Sequence, residues 1–113
     1  MEYPINAVKG IIMIEIMNLR YDKPSQPWDV KVDRSSVLGN PFPMKGEAQR
    51  NAVCEKYAQH LGKEIISEGP IRKEMIRLYY IYKQYKRLRL FCWCAPKRCH
   101  AETIKAWIET EKS

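Results

Sequence analysis

A chain of 113 residues with 45% apolar and 29% charged side chains has the length and composition of one folded globular domain, which excludes a disordered tail. Its 20 Lys and Arg exceed its 13 Asp and Glu to give a net charge of +7. That excess favours an anionic partner such as a nucleotide, RNA or DNA, and it equally suits a solvated basic surface. The apolar run "GIIMIEIM" is too short to span a bilayer, is broken by Glu15 and lacks the flanks of a leader, so no membrane segment is expected. Four cysteines without a leader fit thiols or metal ligands in a reducing cytoplasm better than a disulfide framework.

The isoleucine-rich segment 11–19 has no helix breaker and predicts a first strand. "YDKPSQPW", with two prolines, marks a loop. In "DVKVD", Val30 and Val32 alternate with Lys31 and Asp33, the period of a second strand. "RSSVLGNPFPMKG" then reads as a long structured loop. From Glu47 to Leu61, the residues Ala48, Ala52, Val53, Tyr57 and Leu61 recur at helical spacing. Gly62 is placed to close that helix in a left-handed cap, with His60 facing solvent near its end.

Pro70, preceded by Gly69, suits the first turn of a second helix, in which Ile71, Met75, Leu78, Tyr79 and Tyr82 share a face. "LRLFCWC" alternates Leu88, Leu90, Cys92 and Cys94 with Arg89, Phe91 and Trp93. Beyond Arg89 both sets are apolar, which predicts a central strand covered on both faces. Pro96 ends it, and Ala101, Ile104, Trp107 and Ile108 define a closing helix. The order β-β-α-α-β-α over residues 1–113 predicts a single small three-layer Rossmann-like α/β domain with a short, mostly parallel sheet. In such domains ligands bind outside the carboxyl ends of the strands. Loops 34–46 and 94–100 both follow strand ends, so they meet if those strands are parallel neighbours.

The second of these loops carries Cys92, Cys94, Cys99 and His100, ligand types suited to tetrahedral zinc. The spacing opposes zinc, because structural sites draw on two separated pairs, whereas C-x-C on a strand spreads its thiols and adjacent Cys99 and His100 diverge. Cys92 and Arg98 form C-x5-R, the spacing with which cysteine phosphatases hold a phosphate, but "WCAPK" has no glycine and Pro96 removes an amide. Cys99 and His100 at a helix start can contact a ligand or serve as nucleophile and base. Cys92 and Cys54 are the residues expected to be plain core, as free cysteine is often fully buried.

In the first loop, Arg34 offers a forked donor for phosphate or carboxylate, and Ser35, Ser36 and backbone amides can complete an anion pocket. Asn40 can read a base or ribose. The alternative is that Asp33 and Arg34 form an internal salt bridge and that Gly39, Asn40 and Pro41 are only turn formers. The stretch "YKQYKRLR", with Lys83, Lys86, Arg87 and Arg89, is the candidate basic face for a nucleic acid or a host protein.

"NLR", "DVKVDRSSVLGNPF", a helix with Arg50 and Tyr57, and "LRLFCWCAPKRCH" together resemble the phage and bacterial family known as domain of unknown function 4326. The resemblance rests on Arg34, Ser36, Gly39, Asn40, Pro41, Phe42, Arg50, Tyr57, Leu90, Cys92, Cys94, Pro96, Cys99 and His100, and covers residues 18–108. It implies a small cytoplasmic α/β domain whose two loops share one site. It supplies no reaction. The chain departs from the family pattern at Val37 and Leu38, where a basic residue and a tryptophan are frequent, and position 98 is not fixed as arginine. Its Cys-His turn is similar to that of another uncharacterised α/β family associated with nucleotides. The resulting expectation is a nucleotide or related phosphorylated small molecule bound between loops 34–42 and 94–100 by Arg34, Ser36, Gly39, Asn40, Cys94, Cys99 and His100. No cofactor is expected, and whether a reaction follows is open. A basic interaction protein and a zinc-stabilised domain are the alternatives.

Overall fold

The structure, a computed structural model, describes residues 13–95 and 97–110. Among these residues, three strands and three main helices follow in the order β1 (Met13–Asn18), β2 (Asp29–Lys31), α1 (Arg50–Ile66), α2 (Pro70–Tyr85), β3 (Arg87–Cys92) and α3 (His100–Thr110). A short 3-10 turn, Glu47–Gln49, leads into α1. The sheet runs β1-β3-β2 and both pairings are parallel. The α/β class and the β-β-α-α-β-α order are those expected, and "LRLF" does form the central strand.

Alternation explains the core. Leu88, Leu90 and Cys92 point to one face of β3 and are fully buried. They meet Ile14 of β1, Val30 of β2, Tyr57 and Leu61 of α1, Leu78 of α2 and Ile104 and Ile108 of α3 in one cluster. Each fully buried Leu or Ile contributes roughly 1.5–3 kcal/mol relative to exposure. All three described helices contribute to this cluster, on the side of the sheet that Leu88, Leu90 and Cys92 face.

The opposite face is held by charge. Glu15, Arg89 and Asp29 stand in one cross-strand row. Arg89 donates from Nε and Nη2 to the two carboxylate oxygens of Asp29 at 2.7 and 2.9 Å, and Arg87 donates to Glu15 at 3.2 Å. The Arg87 guanidinium lies 5.0 Å from the Trp28 ring and that of Arg89 5.3 Å from Phe91. Phe91 is fully buried, so the expectation of cover on both faces holds at this position.

Several boundaries differ from the sequence reading. Helix α1 runs through Gly62 to Ile66, and no described glycine has a positive φ. Tertiary packing overrides the local stop signal here, since a Cβ at Gly62 would lie 3.9 Å from Trp107 Cζ2 of α3. His60 is therefore no helix cap: it is half-buried, its ring edge-on to Phe42 at 5.7 Å. The left-handed cap belongs to α2, where Lys86 takes φ 60° and its N–H donates to Tyr82 O at 2.8 Å. Pro70 does open α2, behind an extended Gly69. Strand β3 stops at Cys92, leaving Trp93 59% exposed. Pro96, expected to break the strand, falls outside the described residues.

Candidate functional site

The chain leaving β2 folds into a series of tight side-chain-capped turns. Buried Asp33 accepts from the Ser35 hydroxyl and backbone N–H and, at 3.1 Å, from Nε1 of Trp93. These donors outweigh the cost of burial and hold the Asp33 carboxyl below its ordinary range. Ser36 Oγ accepts from Leu38 N at 3.0 Å, and Asn40 Oδ1 accepts from Phe42 N at 2.8 Å. Both are local turns of the kind short polar side chains favour.

Arg34 does not pair with Asp33. Its guanidinium donates to the carbonyls of Asn40 at 2.6 Å and Phe42 at 3.1 Å, closing the loop on itself. Gly39 is required by space, since a Cβ there would sit 2.4 Å from Asp33 O. Leu38 turns inward, and its carbonyl accepts the buried Tyr57 hydroxyl at 2.7 Å.

The second loop is fastened to this one and to its neighbours. Asn18, the last residue of β1, donates from Nδ2 to Ala95 O at 2.7 Å and to Trp93 O at 3.3 Å. Arg50, at the start of α1, grips Glu47 with Nε and Nη2, each at 2.8 Å, and reaches Arg98 O with Nη1 at 2.8 Å. Arg98 itself donates to Asn51 and Glu55 of α1, which removes it from the role that C-x5-R would assign to it. His100 donates from Nε2 to the carbonyl of Val32. Burial pushes its pKa down, so the ring is neutral near pH 7 with its proton on Nε2 and Nδ1 left as the acceptor.

These links close a cleft of about 250 Å³, lined among others by Asp33, Arg34, Asn40, Arg50, Trp93 and Cys94, with Cys99 and His100 contributed from the start of α3. Parallel pairing of β2 with β3 brings loops 34–42 and 94–100 together, as their positions after neighbouring strands imply. Of the residues singled out from sequence, Arg34, Asn40, Cys94, Cys99 and His100 line the cleft. Ser36 and Gly39 shape the loop behind it. Arg50 and Trp93 were missed as site residues. Arg50 stood only in the family pattern, and Trp93 read as a covered strand residue because the end of β3 is not marked in the sequence.

Cys92 and Cys54 are buried, as expected of core thiols. Cys92 Sγ lies 3.3 Å from Cys99 Sγ. Among the described residues no group of three or more His, Cys, Asp or Glu is arranged to hold a metal. On the basic stretch, Lys83 and Lys86 are exposed, whereas Arg87 and Arg89 are tied to Glu15 and Asp29. No helix among the described residues is long and apolar enough to cross a membrane.

A short parallel sheet packed against helices, with an arginine-bearing cleft at the carboxyl ends of two adjacent strands, defines a small α/β domain. The chain belongs to the family described as Domain of unknown function (DUF4326), which it matches over residues 17–110. No curated protein and no solved structure matches it.

Proposed function

We propose that the domain binds a nucleotide or a related phosphorylated small molecule in the cleft between loops 34–42 and 94–100. The observation that carries this reading is the convergence on one cleft of Arg34 and Arg50 with the start of α3. A helix N-terminus offers unpaired N–H groups and a partial positive charge to an anion. Arg34 spends two N–H groups on carbonyls and keeps the rest of its five-donor fork. Asn40 orients the ligand, Trp93 offers an exposed indole for a base to stack on, and Cys94, Cys99 and His100 contact it from the far wall. Ser36 and Gly39 fix the loop that presents Arg34.

The test is thermal unfolding with a panel of nucleoside 5′-phosphates and, in parallel, inorganic phosphate. A ligand at a hundredfold its Kd adds about 2.7 kcal/mol of stability. Arg34→Ala should remove that gain while the unliganded protein stays folded by circular dichroism. No shift with any phosphate compound, or an equal shift in Arg34→Ala, refutes the reading. Salt-dependent binding of RNA or DNA that is indifferent to Arg34 would instead assign the function to the basic surface.

A further inference from the structure

We propose that Cys92 and Cys99 are a reactive pair that closes to a disulfide in the floor of the cleft when a small hydroperoxide enters it. This is independent of which ligand the cleft holds. The two sulfurs are 3.3 Å apart, one at the end of β3 and one just before α3. Closing to a bond of about 2.05 Å needs a movement of little more than an ångström. The pair is sequestered from large reagents: Cys92 is fully buried and Cys99 is 4% exposed. Cys99 nevertheless lines the cleft, which gives a water-sized oxidant one route, and that route leads to Cys99 first.

The environment divides the two roles. Cys92 sulfur accepts the Cys99 S–H together with the backbone N–H groups of Cys94 and Ala95, which lowers its pKa despite burial. Cys99 is pushed up, because its proton is held against the Cys92 sulfur and it is itself buried. The two sulfurs thus hold one proton between them.

With the shared proton passed to Cys92 sulfur, the Cys99 thiolate attacks one peroxide oxygen, the O–O bond breaks and hydroxide leaves. The product is a sulfenic acid on Cys99. Cys92 sulfur then attacks Cys99 sulfur, the S–S bond forms, the S–O bond breaks, and the departing hydroxide takes the Cys92 proton to leave as water. Two thiols are oxidised by two electrons, and one peroxide is reduced to water and hydroxide. Cys92 waits directly behind Cys99, so the sulfenic acid is captured before further oxidation.

Free thiols counted in denaturant, and intact mass, are read before and after one equivalent of hydrogen peroxide. Of the four thiols, two should disappear with a mass loss of about 2 Da, and a dithiol reductant should restore both. Cys54→Ser and Cys94→Ser, singly and together, should leave this loss intact. Cys99→Ser should abolish it and leave an added oxygen or an unreacted chain. Because tryptic cleavage leaves Cys92 and Cys94 on one peptide, the Cys54→Ser/Cys94→Ser chain, with only Cys92 and Cys99 remaining, is the decisive variant, and its fold is checked by circular dichroism. The proposal fails if that folded chain keeps both thiols, if Cys94→Ser prevents closure in the otherwise native chain, or if oxidation stops at an oxygen adduct on Cys94.

Discussion

Gly39 is the most constrained residue of the first loop, and replacing it by alanine isolates one physical term. The added Cβ would lie 2.4 Å from Asp33 O, 2.6 Å from Arg34 Cα and 2.9 Å from Asp33 C. All three atoms are backbone, so no side chain can swing away. A carbon rests against a carbonyl oxygen at about 3.3 Å or more, so the loop must open by roughly 1 Å. The turns at stake are Ser36 N to Asp33 O and Gly39 N to Ser36 O, each 2.9 Å. Losing both costs about 1 kcal/mol apiece, and crowding of this kind adds about 1–3 kcal/mol. The expected destabilisation is about 3–5 kcal/mol, a fall of about 12–20 °C in Tm at this chain length. Urea unfolding of the two chains measures it directly. Gly46→Ala is the control, because nothing lies within 4 Å of a Cβ there and its extended backbone suits any residue. A Gly39→Ala chain within about 0.5 kcal/mol of the parent, the range of an ordinary surface change, would refute the close approach on which the loop geometry rests.

Gly62→Ala should stabilise the protein by about 0.5–1 kcal/mol, since alanine relieves the entropy cost of glycine inside a helix and its methyl would meet Trp107 at ordinary contact distance; a loss of stability in the same urea assay would place Gly62 outside a regular helix. Tyr57→Phe should cost about 1–2 kcal/mol by leaving the buried Leu38 carbonyl unpaired, with little change in the m-value. For Asp29, the Arg89 guanidinium and the N–H groups of Ser25 and Gln26 together outweigh burial and hold the carboxyl below its ordinary 3.8. Its contribution is therefore complete above pH 4 and is lost as pH falls through the lower folded value. Asp29→Asn should flatten that acid limb and destabilise the neutral protein by about 3 kcal/mol, since Arg89 loses its partner; an unchanged acid unfolding profile contradicts this.

Much of the architecture is legible because the core strand is self-declaring. Leu88, Leu90 and Cys92 against Arg89 and Phe91 give both the strand and its central position, and the placement of loops after neighbouring parallel strands brings them to one cleft. What the sequence hides is governed by partners far along the chain. Gly62 carries a helix-stop signal that the packing of α3 overrides, while Lys86 takes a left-handed cap for which its side chain offers no local advertisement. Arg34 looks like a phosphate fork, yet its first partners are two carbonyls of its own loop. Arg50 looks like an ordinary first-turn residue, and only its bond to Arg98 O, 48 positions away, makes it a wall of the cleft.

The position of β3 between β1 and β2 also dictates when this protein can fold. Neither β1 nor β2 pairs with the other, and each finds its partner in β3 alone among the described residues. The ion pairs that seal the two edges join residues 72 and 60 positions apart. Such distant pairing gives up chain entropy long before any contact offsets it and slows the search for the native sheet. On the ribosome, β1 and β2 emerge before β3, the strand with which both pair among the described residues, while the α1–α2 hairpin is made locally. The sheet and the cleft at its end therefore form together, once β3 is in place.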